Sequence, residues 1–211
     1  MPSTTPLTDS INALTTYANT VTGGSDTDLS SAVATLAAGY GGGGGYSVED
    51  IATRNISGAL TISTATTVAN GAFQNTGVAS VTSKSATFQA NAFYGCASLT
   101  TVDYVPEKNF CDGQRVFENC TSLNVIILRS TVRKSLLYSN SLNNTPFASG
   151  KAGGTVYIPE SLYNHIGDNT SDDYKKASGW STIDGYGTIT WAKIEGSYYE
   201  THYADGTLIP T

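Results

Sequence analysis

Charge is scarce in this sequence: Asp, Glu, Lys and Arg make up 13% of it, about half the usual share of roughly 25%. The polar surface must therefore come from Ser, Thr, Asn, Gly and Tyr. Positive charge is the scarcer sign, with 11 Lys and Arg against 17 Asp and Glu, and the nearest approach to a basic cluster is Arg129 with Arg133 and Lys134. Phosphate backbones need clustered Lys and Arg, so nucleic acid is excluded as a partner. Long apolar runs are also missing. The longest aliphatic stretch, Val125 to Leu128, is far short of the roughly 20 residues of a membrane helix, so no membrane partner is expected. The first residues, MPSTTPLTDS, carry neither a positive start nor an apolar h-region. The expectation is synthesis in a cytoplasm without export by the general secretory route. Three cysteines, Cys96, Cys111 and Cys120, are an odd number, which excludes a full disulfide framework.

Catalytic constellations are lacking too. His165 and His202 lie in unrelated segments, and neither has a second His or Cys at metal-ligand spacing. The run Gly41 to Gly45 is not directly followed by a Lys and a Ser or Thr, and no strand precedes it, so it is not a phosphate-cradling loop. It reads instead as a flexible hinge, because no core element tolerates five glycines in a row. No enzyme activity and no cofactor are expected.

What is present begins with a helical segment. Leu7, Ile11, Leu14, Tyr17 (or Ala18) and Val21 recur at three- and four-residue steps and draw one apolar stripe. Gly23 and Gly24 stop it, and Asp26 or Thr27 caps a second short helix carrying Leu29, Val33, Leu36 and Ala37. Helices near a dozen residues are marginal alone. This stripe is therefore expected to dock on other proteins or on copies of itself, as an anchor or oligomer interface.

The middle of the chain repeats. Ala72-Phe73-Gln74-Asn75-Thr76, Ala92-Phe93-Tyr94-Gly95-Cys96 and Val116-Phe117-Glu118-Asn119-Cys120 align, and the last two continue in step to Leu99 and Val102 and to Leu123 and Ile126. Phe73 to Phe93 is 20 residues and Phe93 to Phe117 is 24, within the roughly 20 to 29 of leucine-rich repeats. Phe147, in Thr145-Pro146-Phe147-Ala148, reads as a degenerate fourth copy, and Ile56 to Val68 as a capping half-repeat. Such a unit cannot bury its apolar face alone, so neighbours stack into one core. Phe73, Phe93, Cys96, Leu99, Val102, Phe117, Cys120, Leu123 and Ile126 are the expected core. Strand alternation sends Val102, Tyr104, Ile126 and Leu128 inward. It leaves Ser80, Thr82, Thr101, Asp103, Val125, Ile127 and Arg129 on an outer face, and the last five form the expected contact surface. Cys96 and Cys120 occupy equivalent positions and read as inert packing. Cys111 lies outside the register and is the one expected reactive thiol.

At these residues the chain resembles the BspA-like leucine-rich repeats, with units of the form A-F-x-x-C-x-S-L-x-x-V/I. Ala92 to Leu99 follows that form, Val116 to Leu123 departs at Val116, and the first copy has Thr76 for Cys and Val78 for Leu, one residue early. The flanks resemble structural proteins of phages and prophages of gut Firmicutes: the lead-in Leu7 to Leu14 before a glycine run, Leu128-Arg129-Ser130-Thr131, Gly154 to Pro159, and Glu195 to Glu200. That resemblance implies a tail, fibre, baseplate or capsid-attached accessory protein in the virion. Its partners would be other virion proteins or copies of itself, together with a host surface protein or glycan. The competing readings are a bacterial cell-surface adhesin and a surface-polysaccharide depolymerase.

The expected fold is thus mixed and β-rich. It is a short leucine-rich-repeat solenoid (46–158) preceded by a helical segment ending in the hinge (1–45) and followed by a cap with a β-hairpin (159–211). In that cap, Leu162, Tyr163, Ile166 and Tyr174 read as a helix interrupted by a polar loop, and Trp180, Ile183 and Tyr186 as the lid of the open end. Thr188 to Ile194 and Tyr198 to Tyr203 read as strands, and Asp205-Gly206 as a hairpin turn. Asp168, Asn169, Asp172 and Asp173 form an acidic loop for which calcium is conceivable, although the EF-hand spacing is absent.

Overall fold

The computed structural model describes residues 56–62, 66–106 and 109–209 except 205 and 207. The expected helical segment, with Leu7, Ile11, Leu14, Tyr17 and Val21, and the expected glycine hinge lie outside the described residues.

Seven strands form one parallel sheet. They are β1 (Ser57–Ile62), β2 (Thr66–Val68), β3 (Gly77–Phe88), β4 (Thr101–Pro106), β5 (Val125–Leu128), β6 (Gly154–Ile158) and β7 (Ile189–Lys193). The order is β1-β3-β4-β5-β6-β7, with β2 pairing β3 beside that path. From β3 to β6 the connections are coils of the repeat rather than long crossover helices, so the sheet grows by one strand per repeat, and the cap leads from β6 to β7. Register carries the inward row Leu60, Val81, Val102, Ile126, Val156 and Trp191 straight across the sheet. All of these are buried except Trp191, which is partly so.

A second ladder runs along the opposite side of the core. Phe73 N donates to Ala92 O (2.8 Å), Phe93 N to Val116 O (3.0 Å) and Phe117 N to Ser141 O (3.0 Å). The rings follow the backbone. Phe73 stacks on Phe93 at 5.3 Å and Phe93 on Phe117 at 5.5 Å, each pair within 9° of parallel. Phe88 meets Phe93 and Phe117 edge-on at 5.2 and 5.8 Å. One residue in each turn must take a positive φ: Asn75 (57°), Gly95 (73°), Asn119 (65°) and Asn144 (54°). Asn and Gly are the residues that visit this region at little cost.

That ladder corrects the placement of the fourth copy. It is Ser141-Leu142-Asn143-Asn144-Thr145, because Ser141 accepts from Phe117 N and Asn144 repeats the positive φ of Asn119. Leu142 stands where the other copies have Phe. Phe147, two residues after Thr145, is buried as Val78 is two residues after Thr76, and both serve where the leucine belongs. Volume rather than ring character fills the site, so Leu142 serves where the other copies have Phe.

The cap holds two short helices, α1 (Glu160–Tyr163) and α2 (Trp180–Asp184). Trp180 and Ile183 are buried and close the core, and Trp180 extends the ring column through Phe110 at 5.3 Å. Tyr186 is 44% exposed and does not belong to the lid. Thr188 to Ile194 contains β7, but Tyr198–Glu200 is a 3-10 turn and not a strand. Ser197 is the reason: its side chain accepts from Tyr199 N, and local capping outweighs the strand preference of Tyr. The expected hairpin is reduced to one antiparallel bridge, His202 to Leu208. Among the described residues no helix is long and apolar enough to cross a membrane.

Candidate functional site

The outer face of the sheet carries two rows in register. The first is Ser80, Thr101, Val125, Thr155 and Thr190; the second is Thr82, Asp103, Ile127, Tyr157 and Ala192. The first row is partly to fully exposed and hydroxyl-rich. Residues Thr101 and Val125 of the expected contact surface therefore reach solvent.

In the second row Tyr157 and Ala192 are also partly exposed, but Asp103 and Ile127 do not reach solvent, which corrects the expectation for these two. Asp103 is 1% exposed and Ile127 is 0% exposed, although alternation points both away from the core. The chain's own segment 199–204 lies across them. Arg129 Nε donates to Asp103 Oδ1 at 2.6 Å and Nη2 to Oδ2 at 2.8 Å, a two-point pair. The same guanidinium donates through Nη1 to Tyr199 O and through Nη2 to His202 O, both at 2.8 Å. Ala204 N donates back to Asp103 Oδ2 at 2.8 Å. The Arg129 guanidinium lies 5.0 Å from the Tyr203 ring centre, and Tyr199 meets Tyr157 edge-on at 4.9 Å. A planar fork suits this role, because one guanidinium can hold a carboxylate and two carbonyls at once. The hydroxyl of Thr82, beside Asp103 in register, is buried without a hydrogen-bond partner.

The strap residues Tyr199, His202, Tyr203 and Ala204 were invisible to repeat reasoning. A signal existed nonetheless. In a charge-poor chain, Asp103 and Arg129 occupy outward positions of adjacent repeats, two residues apart in register, which is the spacing of an ion pair.

The expected core residues Phe73, Phe93, Cys96, Leu99, Val102, Phe117, Cys120, Leu123 and Ile126 are all buried. The thiol of Cys96 donates to Phe73 O at 2.9 Å and that of Cys120 to Phe93 O at 3.1 Å. Thr76 and Thr145 donate their hydroxyls to Phe73 O and Leu142 O of their own turns, whereas the two thiols reach the carbonyl of the preceding coil. Hydrogen bonding between the neighbouring thiols raises Cys120 and lowers Cys96, and burial adds to the rise at Cys120. Cys111 is not the reactive thiol expected. It is wholly buried, and burial pushes its thiol well above the ordinary value.

The acidic loop is a self-contained turn. Asp168 accepts from Thr170 N at 2.8 Å and pairs with His165 Nδ1 at 2.6 Å, while Asp173 accepts from Lys175 N at 2.9 Å. Backbone amides hold Asp168 below the usual carboxylate range, and the Asp168 partner raises His165. Among the described residues no three His, Cys, Asp or Glu stand together as a metal site. His202 stacks on Tyr198 at 4.3 Å, far from His165 in the chain and with a different partner. The arrangement as a whole is suited to contact: a hydroxyl row beside a strap that is clamped in place.

No curated protein and no solved structure matches the chain. The family model of the BspA type leucine rich repeat region matches residues 53–168 in six copies. That span covers more than half of the 211 residues, and it holds β1 to β6 of the sheet and the Phe ladder. The chain belongs to the BspA type leucine-rich-repeat family.

Proposed function

We propose that the chain is a non-enzymatic repeat protein of the surface or adhesion type, displaying its solenoid for contact. The observation that carries this is the repeat family over residues 53–168, whose coils are spent on the core and leave the outer hydroxyl row Ser80, Thr101, Thr155 and Thr190 as the presented surface. The place of display is a phage particle, on the tail, baseplate or capsid. The resemblance of Leu7 to Leu14, Leu128 to Thr131, Gly154 to Pro159 and Glu195 to Glu200 to phage structural proteins supports that reading. Residues 1–45 serve as the anchor, 46–158 as the displayed head and 159–211 as its cap. The apolar stripe Leu7, Ile11, Leu14, Tyr17 and Val21 would then be covered by another virion protein or by copies of the chain.

Mass spectrometry of purified particles tests the location. Peptides of this chain at structural abundance support it. Their absence from particles, with peptides present on the bacterial surface instead, would replace it by a cellular adhesin. A particle carrying Ile11→Asp and Leu14→Asp should lose the protein while the repeat head stays folded. Normal incorporation would shift the anchor to the C-terminal region.

A further inference from the structure

The sheet ends at β7, and the far side of that strand is an open edge. On the near side Gly154 N donates to Thr188 O and Ile194 N to Ile158 O, both at 2.9 Å. With the register to β6, strand alternation turns the N–H and C=O groups of Ile189, Trp191 and Lys193 away from the sheet. Among the described residues none of these three donors and three acceptors has a hydrogen-bond partner. Proteins ordinarily blunt such an edge with a proline, a bulge or a covering loop, because it is a template for another chain. β7 has no proline, and its pairing with β6 runs from Ile189 to Lys193 without a register shift. Its one charge, Lys193, is paired with Glu160 at 2.9 Å. The core side is not sealed here either. Ile189 and Trp191 pack against the core but stay partly exposed, and Tyr186, just before the strand, is 44% exposed.

The spacing of the open groups selects the occupant. They stand at 189, 191 and 193, symmetric about Trp191. A second copy of the strand, antiparallel across a two-fold axis perpendicular to the sheet, sets Trp191 opposite Trp191 and Ile189 opposite Lys193. All of these are then hydrogen-bonded pairs that exchange both N–H···O bonds, so every open donor and acceptor of both copies is satisfied at once. No like charges meet, since Lys193 faces Ile189. The two indoles fall side by side as a cross-strand aromatic pair. We propose that the chain forms a two-fold dimer through β7, its partner a second copy of itself, joining two sheets edge to edge. The outer faces of both copies then lie on one side as a continuous surface. This pairing goes beyond the contact reading and does not depend on where the protein is displayed. A short strand pair is a small interface. The dimer is accordingly weak, at about 10–100 µM, and forms where copies are held close together.

The test is amide hydrogen exchange of the full chain, read residue by residue at about 5 µM and about 500 µM. Ile189, Trp191 and Lys193 should exchange fast when dilute and slow together, about three- to tenfold, when concentrated. Thr190 and Ala192, bonded to β6, should stay protected throughout, which also reports that the strand is folded. Lys193→Pro removes one outward N–H and sets its ring against the second copy, at a place where edge strands tolerate proline; it should abolish the slowing. Lys193→Ala keeps the N–H and should retain it. For orientation, Thr190→Cys protein mixed with Ala192→Cys protein under oxidised glutathione should cross-link faster than either alone, because 190 and 192 face each other only in the antiparallel pair. Exchange of the three amides unchanged at about 500 µM would overturn the proposal, as would association that leaves them unprotected. So would slowing that survives in folded Lys193→Pro, preferential cross-linking of 190 to 190, or growth beyond dimers that Lys193→Pro stops, the mark of open-ended addition of β7 to β1.

Discussion

Arg129→Met removes the clamp while keeping much of the side chain's apolar stem. The wild-type guanidinium makes four hydrogen bonds at 2.6 to 2.8 Å, two to Asp103 and two to the carbonyls of Tyr199 and His202. After the substitution Asp103, 1% exposed, keeps Ala204 N alone. Stranding one partner of a buried ion pair costs about 3–5 kcal/mol. Here relief is local, because lifting the 199–204 segment lets water reach the carboxylate without opening the Phe ladder. Native-state hydrogen exchange should therefore show protection falling at Ala204 N and Ile209 N while Phe93 N stays protected. Proteolysis near Tyr199 and Tyr203 should speed up as the strap opens more often. Adding Asp103→Leu removes the stranded charge, so the double variant should lose no more than Arg129→Met alone, the non-additivity expected of a coupled pair. Unchanged protection at Ala204, or losses that simply add, would refute the clamp.

Phe93→Ala should cost about 3–5 kcal/mol in chemical denaturation, the usual loss for a buried ring, because Phe93 packs on Phe73, Phe88 and Phe117; a midpoint near wild type would contradict the column. All three thiols should resist a thiol reagent in native protein and react together on unfolding, because Cys96, Cys111 and Cys120 are fully buried; a fast native thiol would refute their packing roles. His165 should titrate above its ordinary value in NMR, since the Asp168 carboxylate favours the protonated ring. The pair's contribution is present below the unfolded pKa of about 6.5 and fades as pH rises through the folded value. Asp168→Asn should return the midpoint toward normal, and an unshifted wild-type titration would show the 2.6 Å contact to be unimportant.

Much of this fold could be read from local spacing. The recurrence of Phe, a small Cys or Thr three residues on, and then Leu encodes a coil that buries its face only against another like it. Stacking, a parallel sheet and the inward row Val102 and Ile126 follow from that alone. The copy at Leu142 is less legible because its marks, Asn144 at positive φ and Thr145 tethering its own turn, are backbone requirements that carry no aromatic signature. What tertiary structure alone decided is which outward positions stay open. Strand alternation treats Thr101 and Asp103 alike. Yet Asp103 lies under Ala204, 101 residues away in sequence, and Ile127 is sealed in the same row. No short-range pattern records that contact. It exists because a carboxylate and a guanidinium in neighbouring coils satisfy each other only partly, and the remaining donors of Arg129 select the carbonyls of a returning segment.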